Sequence, residues 1–270
     1  MNDLKNEWDA AAVKIDCDSM RKYRYGMALR YIREMDKNIN VLEVGCGEGT
    51  GLCLFHEIGF NNLTGVEVST ERLRRAEVKI PNNVMLKEIP LDSTLPFENQ
   101  TFDLVISLGV IEHTISPGDF LAEIARVLKS DGYAVISSDC LTWNVMQALS
   151  LYKSDQPIDR ALSLKSFNTL FKANGFIPIH FDTFHLPERK SPLFNVFTDI
   201  GKLIFYKFFL NSSYNQDNVP DGFVDTLKVA IEISKGDINF SHSFRIKKYL
   251  LNYIDDENIF YIRRTVSSNY

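Results

Sequence analysis

Cysteine is scarce in this chain, and it falls at no useful spacing. Cys17, Cys46, Cys53 and Cys140 are the whole complement of four in 270 residues. They make no CxxC pair and no dense framework, so neither a metal site nor a disulfide scaffold is expected, and a reducing cytoplasmic setting fits. Long apolar runs are missing as well, and no uninterrupted stretch could span a bilayer. The first residues, Met1-Asn2-Asp3-Leu4-Lys5-Asn6-Glu7-Trp8, are too polar for a signal peptide. Positive charge is not in excess: 30 Lys and Arg face 35 Asp and Glu, for a net charge of −5, which disfavours indiscriminate nucleic-acid binding. The basic clusters Arg21-Lys22-Tyr23-Arg24 and Arg72-Leu73-Arg74-Arg75 read as solvated helix faces. The remaining composition, 45% hydrophobic and 24% charged, is that of an ordinary globular protein. The length suits one large α/β domain, or one core with an elaboration.

Against that background, Asn40-Val41-Leu42-Glu43-Val44-Gly45-Cys46-Gly47-Glu48-Gly49-Thr50-Gly51 stands out. It opens as a buried strand and breaks into glycines at alternate positions. Leu52, Leu54, Phe55 and Ile58 follow at helical spacing, and Gly59 sits where a helix would stop. Strand, glycine turn and helix open a nucleotide-binding βαβ unit, in which glycine lets a ligand approach bare backbone. Glu67 ends the next apolar run, Leu63-Thr64-Gly65-Val66-Glu67-Val68. That is close to the roughly 20-residue spacing expected of a carboxylate that accepts hydrogen bonds from a ribose diol.

The rest of the chain alternates strands with helices. A helix is expected over 18–35, with Met20, Tyr23, Met27, Ala28, Tyr31 and Ile32 as its stripe; Tyr23 or Tyr25 could face a ligand, although packing is the commoner role. Further helices are expected at 69–80, from Ser116-Pro117 to Leu128, at 141–152 and at 163–174. Strands are expected at 84–89, 102–107, 133–137, 176–184 and 259–262. This pattern argues for a doubly wound parallel sheet whose ligands bind at the carboxyl ends of the strands. Glu67, Asp92, Ser107, Glu112 and His113 all fall at such ends. About seventy residues before the last strand exceed any simple connection. Within them, Leu193, Val196, Phe197, Ile200, Leu203, Ile204 and Phe208 form an aromatic-rich amphipathic helix. Its apolar face suits core or subunit packing, or peripheral membrane docking through 193–210. The domain plan is an N-terminal helical segment (1–37), a core (38–184 with 258–270) and a helical insertion (185–257) acting as lid or interface.

Four stretches resemble the class I S-adenosylmethionine-dependent methyltransferases, especially the type-11 small-molecule group. They are Val41-Leu42-Glu43-Val44-Gly45-Cys46-Gly47-Glu48-Gly49, Leu63-Thr64-Gly65-Val66-Glu67-Val68-Ser69, Leu95-Pro96-Phe97-Glu98-Asn99-Gln100-Thr101-Phe102-Asp103-Leu104-Val105 and Leu121-Ala122-Glu123-Ile124-Ala125-Arg126-Val127-Leu128-Lys129-Ser130-Asp131-Gly132. The resemblance covers about 38–138 and is lost over 185–257. It implies a Rossmann-like seven-stranded sheet, mostly parallel with an antiparallel last strand, and S-adenosyl-L-methionine as cofactor. It implies that the turn through Gly45, Cys46, Gly47 and Gly49 holds the methionine moiety, with Glu43 near its amino group. Glu67 takes the ribose hydroxyls, Val68 and Ser69 flank the adenine, Leu91 or Asp92 closes on its edge, and Ser107 and Leu108 border the methionine end. The family's loop aspartate falls one step earlier than Asp92, on Leu91. Thr50, where a dinucleotide fingerprint wants a third glycine, favours this cofactor over a dinucleotide.

His113 is a candidate general base beside the acceptor, with packing as its competing role; Glu112, His180 and His185 are weaker candidates. The expected function is methyl transfer to O or N of a small molecule or glycan, amphiphilic acceptors included, by a monomer or homodimer. An RNA or protein methyltransferase and a non-catalytic subunit of the same fold are the alternatives.

Overall fold

The computed structural model describes residues 4–7, 9–10, 18–92, 94–139, 157–184 and 257–265, and their side chains except at 18–23, 164, 182–184 and 257–258. The helices expected at 141–152 and within the insertion, the 193–210 segment, His185 and the Tyr23 side chain lie outside the described residues. By compactness the chain divides into Met1–Glu188 with Asp255–Tyr270, and Arg189–Ile254. Among the described residues no helix is long and apolar enough to cross a membrane.

The first unit is built on seven strands: β1 (Asn40–Val44), β2 (Asn62–Glu67), β3 (Met85–Glu88), β4 (Phe102–Leu108), β5 (Leu128–Asp139), β6 (Phe176–Phe184) and β7 (Glu257–Arg264). They lie in the order β3-β2-β1-β4-β5-β7-β6. Every pair from β3 to β5 is parallel, while β7 runs antiparallel to both β5 and β6. The strand order reverses between β1 and β4, which makes that junction the crevice for a ligand.

Alternation along the strands divides the core between the two faces of the sheet, as a buried sheet requires. Leu42, Val44, Val105, Ala134, Ile136, Phe260 and Ile262 pack with Phe120, Leu121 and Ile124 of α4 (Pro117–Val127) and with Phe167 and Phe171 of α5 (Leu164–Ala173). Val41, Leu104, Ile106, Val135 and Ile259 face α1 (Asp18–Ile32) and α2 (Thr50–Glu57), whose Ala28, Ile32, Leu52 and Phe55 are fully buried. The register therefore sends Glu43, on the same face as Val41, toward α1. Among the described side chains of α1, Tyr25, Ala28 and Ile32 are buried and Met27 and Tyr31 pack against the same cluster, so Tyr25 joins the expected stripe as a further inward aromatic; the side chains of Met20 and Tyr23 lie outside the described residues.

Helix starts follow their local signals. Ser69, Ser116 and Ser163 each accept a bond from the backbone three residues on, as N-caps of α3 (Thr70–Lys79), α4 and α5. The fifth strand departs from expectation. It begins at Leu128 rather than Tyr133, passing through an irregularity in its pairing with β4 and a positive φ of 65° at Asp131. A short 3-10 turn, Ile111–His113, follows β4.

Candidate active site

Three glycines of the turn after β1 take left-handed backbone, with φ of 74° at Gly45, 55° at Gly47 and 78° at Gly49. A side chain at any of them would be strained. At Gly45 a Cβ would also lie 2.4 Å from Val110 Cγ2, so the turn packs directly on the residue that follows β4 and Gly109. The turn is fixed from several sides. Gly45 and Cys46 donate their N–H groups to Val66 O at 2.8 and 3.0 Å. Glu48 pairs with Arg75 (3.0 Å) and Lys79 (2.7 Å) on α3.

Glu67 spans the tips of β1 and β2. Its Oε2 accepts from Gly47 N at 2.9 Å, and its Oε1 accepts from Val68 N at 2.9 Å and Ser69 N at 3.0 Å. Three peptide donors stabilise a carboxylate that is only 3% exposed. A carboxylate has about four acceptor positions, which leaves one for a hydroxyl arriving in the crevice. Beside it, Ser69 Oγ donates to Asp9 Oδ1, and Glu71 N reaches the same oxygen at 3.4 Å.

Glu43 lies inside, 2% exposed, and accepts from the Tyr25 hydroxyl at 2.5 Å. Ser107 is fully buried at the end of β4, and its Oγ has no hydrogen-bond partner among the described residues. Val68, which follows β2, and Leu108 and Val110, at and after the end of β4, are half-buried. Leu91 is half-buried, but Asp92 is exposed and its carboxylate accepts from Thr94 N at 3.0 Å, closing its own turn.

A second group of charges lies where β4 and β5 end. Glu112 is 1% exposed and accepts from Asp139 N at 3.2 Å, while its backbone oxygen takes Arg160 N at 3.0 Å. His113 Nδ1 lies 2.6 Å from Ile158 O. A carbonyl only accepts, so the proton sits on Nδ1, and Nε2, 4.0 Å from Glu112 Oε1, is the basic nitrogen of the neutral ring. Burial pushes the imidazole below its ordinary range, against the opposing pull of the Asp159 and Asp139 carboxylates. Arg24 Nη2 is 3.4 Å from Asp139 Oδ1. His180 does not join this group; it lies exposed on β6, 5.6 Å from the Tyr31 ring.

The structure thus brings Glu43, the three glycines, Cys46, Glu67, Val68 and Ser69 together at two adjacent strand tips, with Ser107 and Leu108 across the junction. The donor set suits a ligand with hydroxyls at one end, an apolar middle and a charged polar tail. Sequence reasoning missed Arg24, Asp139, Asp159 and Asp9. Arg24 sits in a basic run that reads as solvent-facing, and Asp139 lies 115 positions away from it.

Residues 42–136 match the family described as "Methyltransferase domain". The Dictyostelium discoideum mitochondrial ubiquinone biosynthesis O-methyltransferase is 29% identical over 138 residues, 47% of this chain and 43% of the relative. The 2-methyl-6-phytyl-1,4-hydroquinone methyltransferase of Synechocystis sp. is 34% identical over 106 residues, 38% of this chain and 32% of the relative. The tRNA U34 carboxymethyltransferase of Glaesserella parasuis is 26% identical over 165 residues, 60% of this chain and 49% of the relative. The chain therefore spans less than half the length of these curated relatives. Among solved structures, a chain from the complex between the Haloferax volcanii Trm112 methyltransferase activator and its methyltransferase partner superposes with a TM-score of 0.64 at 16% identity, over 99% of this chain and 100% of that one. The Streptomyces coelicolor geranyl diphosphate C-methyltransferase, solved with S-adenosyl-L-homocysteine, gives a TM-score of 0.55 at 12% identity, over 91% of this chain and 79% of that one. Residues 42–136 match the methyltransferase domain family, and the seven-stranded sheet to which they contribute β1 to β5 has the fold of these solved structures.

Proposed function

We propose that this chain transfers a methyl group from S-adenosyl-L-methionine to an O or N atom of a small molecule or glycan, with amphiphilic acceptors favoured. The observation that carries the reading is Glu67. It is buried at the tip of β2, locked by Gly47, Val68 and Ser69 beside the glycine turn that follows β1. Glu67 would take a ribose hydroxyl, Glu43 the ammonium of the amino-acid tail, and Ser107 would lend a hydroxyl at the methionine end. Val68, Ser69, Leu91 and Leu108 would supply the walls around adenine and tail, with Gly45, Cys46, Gly47 and Gly49 as the floor. The bound cofactor supplies an electrophilic methyl group on a sulfonium. The chain's own part is to hold the acceptor atom in line at near-attack distance and to exclude water, which together are worth several kcal/mol. His113 Nε2 would take the acceptor's proton if the ring acts as a base, and its bond to Ile158 equally suits a residue that docks 157–161 on the β4 turn.

Two relatives support an amphiphilic acceptor, one named for ubiquinone biosynthesis and one for a phytyl hydroquinone. The aromatic-rich 193–210 sequence agrees with them. A second reading, RNA methylation, is favoured by the tRNA-modifying relative, which aligns over more of this chain than the two quinone-related ones. The test is to incubate the protein and methyl-labelled cofactor with extracts of its source. Label in the organic-extractable or low-molecular-weight fraction is expected. Label in RNA would move the assignment to the second reading, and a folded sample that binds no S-adenosylhomocysteine in calorimetry would leave only a non-catalytic role.

A further inference from the structure

Glycine adopts left-handed and right-handed backbone about equally, so Gly45, Gly47 and Gly49 permit the turn after β1 without holding it. Between Val44 and Leu52 only Cys46, Glu48 and Thr50 carry side chains. Cys46 is buried in the core beneath α1 and α2, and Thr50 opens α2. Glu48 is the one charged residue of the stretch, set between two left-handed glycines.

Glu48 reaches across to α3. Its Oε1 accepts from Arg75 Nη1 at 3.0 Å and its Oε2 from Lys79 Nζ at 2.7 Å. Arg75 and Lys79 stand four residues apart, on one stripe of the helix. Glu71, one turn earlier on that stripe, accepts from Arg75 Nε at 2.9 Å and orients the guanidinium. Arg74 holds Glu71 in turn, with Nε and Nη2 each 3.0 Å from its carboxylate oxygens. The same helix supports the turn through apolar contact: a Cβ on Gly49 would lie 2.5 Å from Ile80 Cγ2 and 3.3 Å from Ala76 Cβ. From the other side Glu67 takes Gly47 N at 2.9 Å, and it also takes the N–H of Ser69, the cap of α3. The turn is thus gripped at adjacent residues, Gly47 by a carboxylate and Glu48 by the helix that starts at that carboxylate. The side chains of Glu48, Arg75 and Lys79 are 15%, 29% and 44% exposed, so the ion cluster is open to screening by salt.

We propose that Glu48 is a positioning residue for the methyl donor: with Arg75 and Lys79 it holds the glycine turn in its ligand-accepting shape before the ligand arrives. The proposal rests on the reading of the crevice as an S-adenosylmethionine site, and its test separates the two. A turn that holds this shape for a smaller fraction of the time binds more weakly by that fraction, and the loss falls on association. The test uses full-length protein and S-adenosylhomocysteine, a zwitterion without net charge. Glu48→Gln keeps the size of the side chain and removes its charge. It should weaken the ligand about three- to tenfold in calorimetry, the scale of one or two partly exposed ion pairs. In stopped-flow binding the association rate should fall while the dissociation rate stays unchanged. Raising salt from about 0.05 M to about 0.5 M should weaken wild-type binding and leave the variant nearly unaffected. Adding Arg75→Gln to Glu48→Gln should weaken binding little further, because the bond between them is already gone. Lys79→Gln, at a more exposed position, should give a smaller loss of the same kind. The proposal is overturned if folded Glu48→Gln binds as wild type does, or if its loss lies in dissociation alone, which would make Glu48 a contact of the bound ligand. Should Glu48→Gln fail to fold, unchanged affinity in Lys79→Gln overturns it instead. Folded wild-type protein that binds no S-adenosylhomocysteine would sink the cofactor reading itself. Melting curves of each variant establish that folded states are compared.

Discussion

Glu67 is 3% exposed, and the peptide N–H groups of Gly47, Val68 and Ser69 are aimed at its carboxyl oxygens. Replacing one carboxylate oxygen by an amide nitrogen sets donor against donor on one side. Glu67→Gln should therefore lose about 1.5–3 kcal/mol of stability in chemical denaturation, the scale of a charged hydrogen bond, and weaken S-adenosylhomocysteine binding about tenfold or more in calorimetry. His113 gives a prediction of a different kind. Burial holds its pKa below the ordinary 6.5, so below that pH the unfolded chain binds more protons than the folded one. Stability is full above pH 6.5 and should fall as pH drops from there toward the lowered folded value. His113→Asn retains a donor for Ile158 O and removes the titration, so its melting temperature should vary less over that window. Turnover decides the ring's role: a fall of about 10²-fold or more in the variant marks a general base, and near-normal turnover marks a docking residue.

At the scale of elements, the loop between β3 and β4 is held by one residue of α4. Arg126 uses all five of its N–H groups: Nε and Nη2 on Glu123 (2.7 and 2.8 Å), Nη2 on Leu95 O (2.8 Å), and Nη1 on Phe97 O (2.7 Å) and Asn99 Oδ1 (3.0 Å). Glu123 in turn accepts from Leu95 N at 2.9 Å. An ammonium cannot reproduce that fork, so Arg126→Lys should cost about 1–3 kcal/mol and speed hydrogen exchange at the amides of 95–99. Elements of this kind were largely legible in the sequence, because their causes are local. Ser69, Ser116 and Ser163 cap helices that the apolar spacing already outlined, and the glycine turn could be placed to the residue. The start of β5 was not legible, because Leu128 to Gly132 joins the sheet through an irregular pairing with Phe102 that no short-range pattern encodes. Asp92 adds a contact that its place after β3 did not announce: the carboxylate accepts from Thr94 N within its own loop. Tyr25 was legible only as one of two aromatics, and it took the register of β1 to point Glu43 at it.

For the whole molecule, the decisive geometry is the return of the chain to the sheet. The last residue of β6, Phe184, pairs directly with the first residue of β7, Glu257. Opposed residues of antiparallel strands sit about 4.5–5.5 Å apart, a gap that a hairpin loop of two to five residues closes. The two ends of the intervening sequence are therefore neighbours in the sheet, and the division by compactness sets Arg189–Ile254 apart from the rest. Among the described residues β7 is held by hydrogen bonds to β5 and β6, and its Ile259, Phe260 and Ile262 are buried. Replacing 186–255 with an Asn-Gly turn should leave a cooperatively folding protein whose affinity for S-adenosylhomocysteine matches that of the full chain. Methyl transfer to the natural acceptor should be lost if the excised stretch forms the acceptor wall, and kept if it serves only contacts with other molecules. Retained cofactor affinity with lost transfer would divide the chain into a half that binds the donor and a half that selects the acceptor. Loss of cofactor affinity would instead place part of the donor site beyond Phe184.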